Sequence, residues 1–369
     1  SRTDWVVRGR YRLAEGILAD AFWGRSSLGG EDEDEDEEPD PAEPVFDFRS
    51  RSQLGLRLSL EREALDALVL WGEAGYRLQG GDGWADNVSA LRAGLRGVGG
   101  GGVEGALERE AWAGGETATG YRLKGWTPAL LGVSLFGSIE SGRRGMPLPA
   151  LAELPPELGD VLFTDRSATR IGAAFDVGAL ALAGAWIRME ADVLAPLGFA
   201  AERPGEPVGG GERPRNGLVT PGGERTGFEV SGNVPLLLLD GLSATGSAHF
   251  WNDEEVWRYL PRRSYDARIA FHDVFLPTEN LEVWADVGVR GRDPMAVPIE
   301  GDTNPWLDTN LVTVPFDQSW FLRLQIRVVT VRVFVDWENI TIRQRNQDYP
   351  DRLMPYTRTT YGVRWSLWN

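Results

Sequence analysis

The sequence contains no cysteine, one lysine (Lys124) and two histidines, His249 and His272. Without cysteine there is neither a disulfide framework nor a thiolate metal site. No stretch approaches the roughly 20 consecutive apolar residues that a membrane helix requires. The longest oily runs are Val234 to Leu239, broken by Pro235, and the segment around Leu130 to Ile139. Both are strand-sized, which excludes a helical membrane protein. No basic stretch followed by an apolar one stands at Ser1, so an exported chain would be mature or trimmed. Neither Gly-x-Ser-x-Gly nor His-Glu-x-x-His occurs. The two histidines fall on adjacent expected strands, His249 near the loop end and His272 near the turn end, too far apart to act together. The chain therefore reads as a non-enzyme without a cofactor. A net charge of -17 speaks against a nucleic-acid partner.

What is present points one way. Hydrophobic residues make up 42% of the chain, with 46 glycines and 15 tryptophans, and mean hydropathy is -0.27. The apolar residues alternate. Tyr361, Val363, Trp365 and Leu367 are interleaved with Gly362, Arg364 and Ser366. Val331, Val333, Val335 and Trp337 alternate with Arg332, Phe334, Asp336 and Glu338, and Trp320 to Val328 repeats the pattern. A period of two gives one oily and one polar face, whereas a helix needs spacings of three and four. The connections alternate as well. Short ones (Ala14–Gly16, Gly99–Gly102, Trp126–Pro128, Pro277–Asn280, Val329–Thr330) take turns with long ones. Short turns on one rim and long loops on the other are the arrangement of an outer-membrane barrel.

We therefore expect an all-β fold: one transmembrane antiparallel up-and-down β-barrel over residues 1–369, with about 16–18 strands. Its turns would be periplasmic and its loops extracellular, including an acidic loop at 29–45 and long loops at 142–167 and 192–224. The strand count comes out at about seventeen. An odd count with a periplasmic C-terminus puts the start of the first strand outside the cell. Either one strand is miscounted or the sequence begins partway through a longer chain.

The stretches Val333-Phe-Val-Asp-Trp-Glu-Asn339, Asp348-Tyr-Pro-Asp-Arg-Leu-Met-Pro355 and Thr359-Thr-Tyr-Gly-Val-Arg-Trp-Ser-Leu-Trp368 resemble the end of a TonB-dependent receptor barrel. The hairpin Tyr11 to Asp20 has a similar character. The resemblance covers the last 50 or so residues and extends to the rest as architecture. It implies an outer-membrane location, a small solute as cargo and a periplasmic energy-coupling protein as partner. Two features depart from that pattern. Strand alternation begins by Trp5, leaving no visible plug domain, and the last residue is Asn369 rather than an aromatic.

The candidate solute path is a set of lumen-lining charges. Arg8, Arg10 and Arg12 share one face of the first strand, and Arg57 lies on the polar register of the third. Arg323, Arg327, Arg332 and Arg364, with Asp336 and Glu338, take inward positions near the C-terminus. Closure of the barrel would make these one arginine-rich wall, suited to carboxylates and phosphates. The alternative is that the arginines pair across the lumen with Glu61, Glu73, Glu104, Glu108, Asp286, Asp336 and Glu338. Trp5, Trp320, Trp337, Trp365 and Trp368 read as an aromatic girdle at the membrane interfaces. Trp71, Trp251 and Trp284 point inward by register, where a sugar-stacking track is a second reading. The acidic run Glu31 to Glu38 is a weak metal candidate through Glu31, Asp32, Glu33 and Asp34. Its plainer reading is a solvated loop tip, because an ordered calcium loop also needs glycine and carbonyl ligands at set spacing.

Three functions fit: a TonB-dependent receptor-like transporter, a general or anion-preferring diffusion porin, or a structural or adhesive barrel that binds a partner through its loops. Expected partners are outer-membrane lipid and lipopolysaccharide, the barrel assembly machinery, and either an energy-coupling protein or a plugging chain. The apolar patch Leu148 to Pro155, whose leucines would be costly to expose, suggests that at least one long loop folds inward or packs on another chain.

Overall fold

The computed structural model describes residues 2–28, 50–65, 68–80, 85–97, 99–112, 115–147, 161–194, 220–252, 260–299, 310–340, 347–349, 352–353 and 357–366. The strands, in chain order, are β1 (Arg2–Ala14), β2 (Ile17–Leu28), β3 (Ser50–Leu65), β4 (Leu68–Gly80), β5 (Asn87–Gly97), β6 (Gly102–Ala111) and β7 (Thr117–Trp126). Then come β8 (Val133–Pro147), β9 (Val161–Val177), β10 (Leu180–Leu194), β11 (Thr220–Pro235), β12 (Leu242–Trp251), β13 (Arg263–Phe275) and β14 (Leu281–Arg292). The last are β15 (Met295–Ile299), β16 (Asn310–Val314), β17 (Asp317–Val328), β18 (Val331–Glu338), β19 (Gln347–Tyr349), β20 (Arg352–Leu353) and β21 (Arg358–Trp365).

Seventeen of these form one sheet. Each is antiparallel to its neighbour in the sequence, from β1–β2 through β14–β17 and β17–β18 to β18–β21. The all-β, up-and-down architecture and the expected strand number are borne out. Up-and-down order with an odd number of strands makes β1 and β21 run in the same direction. Among the described residues β1 pairs with β2 and β21 with β18, each on one side.

The connections sort by rim. The connections at 15–16, 66–67, 98–101, 127–132, 178–179, 236–241, 276–280 and 329–330 join strand ends on one rim, and every longer connection joins strand ends on the other. The two-residue turn at 329–330 holds Val329 at φ 55°, the left-handed geometry that tight hairpins demand. Two loop-rim connections, 81–86 and 112–116, are as short as turns.

Two expected loops are shorter than the sequence pattern suggested. The strands β8 and β9 narrow 142–167 to 148–160, and β10 and β11 narrow 192–224 to 195–219. The reason lies in their outward positions. Arg143 faces Asp165 across β8–β9, and Arg188 reaches Glu224 at 2.8 Å from β10 to β11. These strands, 15 to 17 residues long, outrun the ~9–11 needed to span a bilayer. Beyond the membrane both faces are polar, so alternation vanishes while pairing continues. Two loop-rim segments also carry small hairpins, β15–β16 and β19–β20. The expected acidic loop at 29–45 and the patch Leu148 to Pro155 lie outside the described residues.

The sheet has its oil on the outside. Leu54, Leu56, Leu58 and Leu60 of β3 are 38–59% exposed, and they share one face with Tyr76 and Leu78 of β4 and Trp23 of β2. Among the described residues the buried hydrophobic side chains are few and mostly alanines. A water-soluble protein rarely leaves so continuous an apolar surface bare.

The inner face is built around glycines covered by rings. Gly55 lies opposite Phe22, Gly94 opposite Trp71, Gly172 opposite Phe136, Gly227 opposite Trp251, Gly288 opposite Phe321 and Gly362 opposite Phe334. In each pair the ring occupies the space a β-carbon would fill. An arginine stands two residues from every one of these glycines: Arg57, Arg96, Arg170, Arg225, Arg290 and Arg364. Four of them lie over the ring, at 5.7 Å for Arg96 on Trp71, 4.9 Å for Arg170 on Phe136, 5.9 Å for Arg225 on Trp251 and 5.1 Å for Arg290 on Phe321. The missing side chain lets the ring lie on the sheet, and the ring's face attracts the cation.

Gly55 provides the cleanest check, because a β-carbon there would meet Phe22 alone, at 2.2 Å from Cε1. Gly55→Val should destabilise the barrel by about 1–3 kcal/mol, lowering the temperature at which the folded gel band disappears. Phe22→Ala in the same chain should restore part of that loss. No recovery would mean that the ring is not what the glycine accommodates.

Candidate functional site: the charged lumen wall

Register places every described candidate. Arg8, Arg10 and Arg12 of β1 lie opposite Phe22, Asp20 and Leu18 of β2, on the face of the covered glycines. Three arginines meet one carboxylate there. Asp20, 4% exposed, takes Arg8 at 2.5 Å, Arg10 at 3.2 Å and Arg57 at 3.5 Å. Arg57 also approaches Glu73 at 3.7 Å. Asp20 was missed in the sequence. It sits directly between Arg10 and Arg57 in the pairing of β1, β2 and β3, which strand-by-strand reading does not reveal.

The C-terminal candidates form a second cluster. Arg327 bonds Glu282 at 2.6 Å, and Glu282 also contacts His272 at 2.8 Å. The His272 ring stacks on Trp284 at 5.1 Å, and Arg332 lies over Trp284 at 5.0 Å. Arg323 approaches Glu338 at 3.9 Å and lies opposite Asp336. Arg332 faces Arg364 across β18–β21. The two clusters belong to opposite ends of the strand order, and no described pairing joins them.

Trp5, Trp320, Trp337 and Trp365 all fall on the outward register; Trp368 lies outside the described residues. Trp71, Trp251 and Trp284 face inward, as their registers implied, but each is already engaged with an arginine. His249 and His272 are separated along the β12–β13 pair, with His249 opposite Ser264 and His272 bonded through its N–H to the turn residue Gly241. Glu31, Asp32, Glu33 and Asp34 lie outside the described residues.

Many wall charges do pair: Lys124 with Glu104 at 3.2 Å, Arg144 with Glu108 at 2.5 Å, and Arg170 with Glu229. Arginines nevertheless outnumber carboxylates on the lumen face of the strands, although the chain as a whole carries -17. The surplus is spread along the wall, and part of it lies on β5 to β9. There a cavity of about 370 Å³ is lined by Arg92, Arg122, Arg144 and Arg166, with Glu108, Glu140 and Glu190.

No protein-family model matches this sequence, and no curated protein matches it. Solved structures do match. The siderophore receptor PirA from Acinetobacter baumannii superposes with a TM-score of 0.60 at 11% identity, over 99% of this chain and 62% of that one. The fold is that of the TonB-dependent receptor barrels. The FrpB iron transporter from Neisseria meningitidis (F5-1 variant) gives 0.57 at 12% identity, over 99% and 63% of the two chains. The copper transporter OprC gives 0.57 at 12% identity, over 92% and 58%. The chain thus spans a little under two thirds of the length of these receptors and transporters.

The Asp20 cluster yields a direct test. Asp20→Asn removes the one carboxylate that three arginines share, so the folded band should be lost at a lower temperature. Arg8→Gln in the same background should recover part of the loss by relieving repulsion among the remaining arginines. Additive losses in the double variant would show that Asp20 and Arg8 are not coupled.

Proposed function

We propose that the chain forms the barrel of an outer-membrane receptor that brings a small solute across the outer membrane. The observation that carries this reading is the two-faced sheet: continuous oil outside, a basic charged wall inside, and connections sorted by length between the rims. A sheet of this kind is stable in a bilayer. The fold's likeness to proteins named as siderophore, iron and copper receptors or transporters supports a small solute as cargo. In this reading the loop rim faces outward, lipopolysaccharide surrounds the upper oily face, and the barrel assembly machinery inserts the chain. Energy would come from a periplasmic coupling protein. A diffusion porin is the second reading, favoured by the surplus of lumen arginines.

Orientation can be tested cleanly because the chain has no cysteine. In intact Gram-negative cells, a membrane-impermeant maleimide should label Glu116→Cys on the loop rim. Asp240→Cys in the 236–241 turn should react only after the outer membrane is opened. The reverse pattern, or absence from the outer-membrane fraction, contradicts the proposal. Collapse of solute accumulation on dissipating the proton gradient separates the receptor from the porin, whose flux would persist.

A further inference from the structure

The cavity on β5 to β9 has a construction of its own. Pairing sets Arg92, Ala106, Arg122 and Glu140 side by side on one row of the sheet. The next row toward the loops reads Ala90, Glu108, Gly120, Gly142 and Arg166. The floor is therefore Ala106, Gly120 and Gly142, and it is flat for a steric reason. A β-carbon at Gly142 would stand 2.2 Å from the Gly120 Cα. Arg92 and Arg122 are two strands apart, roughly 10 Å at ordinary strand spacing, with only a methyl group between them.

The charges around this floor do not cancel. Glu108 is taken by Arg144, which also reaches Glu110 at 3.4 Å. Arg92, Arg122 and Arg166 make no ion pair among the described residues; of the other lining acids Glu190 pairs with Arg188, and Glu140 is left without an ion pair among the described residues. Arg92, Arg122 and Arg166 thus line a depression whose floor bears only the Ala106 methyl group. Guanidinium binds carboxylate and phosphate oxygens through two parallel hydrogen bonds. Glu140 remains available to accept a hydroxyl or amide proton from the same ligand.

We propose that this depression is a binding site for an oxyanion, a carboxylate or phosphate carried by the solute, held by Arg92, Arg122 and Arg166 over the Ala106–Gly120–Gly142 floor. The assignment of that ligand as cargo rests on the transport reading above; the binding is a property of the wall. A lipid phosphate is excluded as occupant because the site faces the lumen. The site lies on the loop-side half of β8 and β9, where a solute entering from that rim would meet it.

The test is calorimetric titration of the full-length barrel in detergent micelles at low salt, with citrate and, separately, inorganic phosphate. Citrate should bind, and added salt should weaken it. Arg122→Gln with Arg166→Gln should reduce affinity about tenfold or more. Arg25→Gln with Arg109→Gln, which removes the same charge from the outward face, should leave it unchanged. Arg122→Lys should fall between, because it keeps the charge and loses the fork. Heat-modifiable migration reports that each variant is folded. Equal weakening by both double variants, or no binding of either anion by the folded wild type, overturns the site. A barrel that passes the labelling test yet ignores both anions loses only this site. One that binds citrate but fails labelling loses only the transport reading.

Discussion

A hydrocarbon environment offers backbone amides no water, so each N–H and C=O in it must find a partner within the protein. Everything else in this structure follows from that constraint. The seventeen-stranded sheet meets the requirement by pairing each strand with its neighbours in the sequence. Backbone pairing then leaves side chains free to alternate, and alternation sends most leucines and valines to one face and most arginines and carboxylates to the other. Among the described residues few hydrophobic side chains are buried, and in the proposed setting lipid takes the place of a core.

The inner face solves a different problem. A wall of strands whose inward side chains are long and charged needs rigidity and charge balance without a packed interior. The paired rings and glycines supply contact between neighbouring strands, and arginines cover several of the rings. Ion pairs such as Arg327–Glu282 and the three-arginine cluster on Asp20 join strands that are adjacent in space. Half-exposed pairs of this kind contribute modestly to stability one by one. Their larger effect is to leave particular cations without an ion pair among the described residues, Arg92, Arg122 and Arg166 on β5 to β9 among them.

Much of the fold was legible in the sequence because period two needs no knowledge of neighbours. The row Val331, Val333, Val335 and Trp337 declares a strand by itself, and the short turns declare the rim. Strand limits were less legible at β8 to β11, where Arg143, Asp165, Arg188 and Glu224 stand outward in water and erase the alternation. The site was less legible still. Arg92, Arg122 and Arg166 lie on three separate strands, and only the register of β5 to β9 brings them to one floor. Asp20 was hidden for the same reason. The recurring Gly-x-Arg or Arg-x-Gly triplets, such as Gly94-Leu-Arg96 and Arg225-Thr-Gly227, were a visible signal of the covered glycines, provided each was matched to an aromatic on the next strand.

The account stands on the claim that one face of the sheet meets lipid and the other an aqueous lumen. Spin labels placed singly at positions 53, 54, 56, 57, 58 and 59 of β3, in a barrel reconstituted into bilayers, measure this directly. Oxygen, which partitions into lipid, should relax labels at Leu54, Leu56 and Leu58 most strongly, whereas a water-soluble nickel chelate should act most at Gln53, Arg57 and Ser59. The two accessibilities should alternate with a period of two and in opposite phase. Profiles that rise and fall together, or that repeat with a helical period, would contradict it.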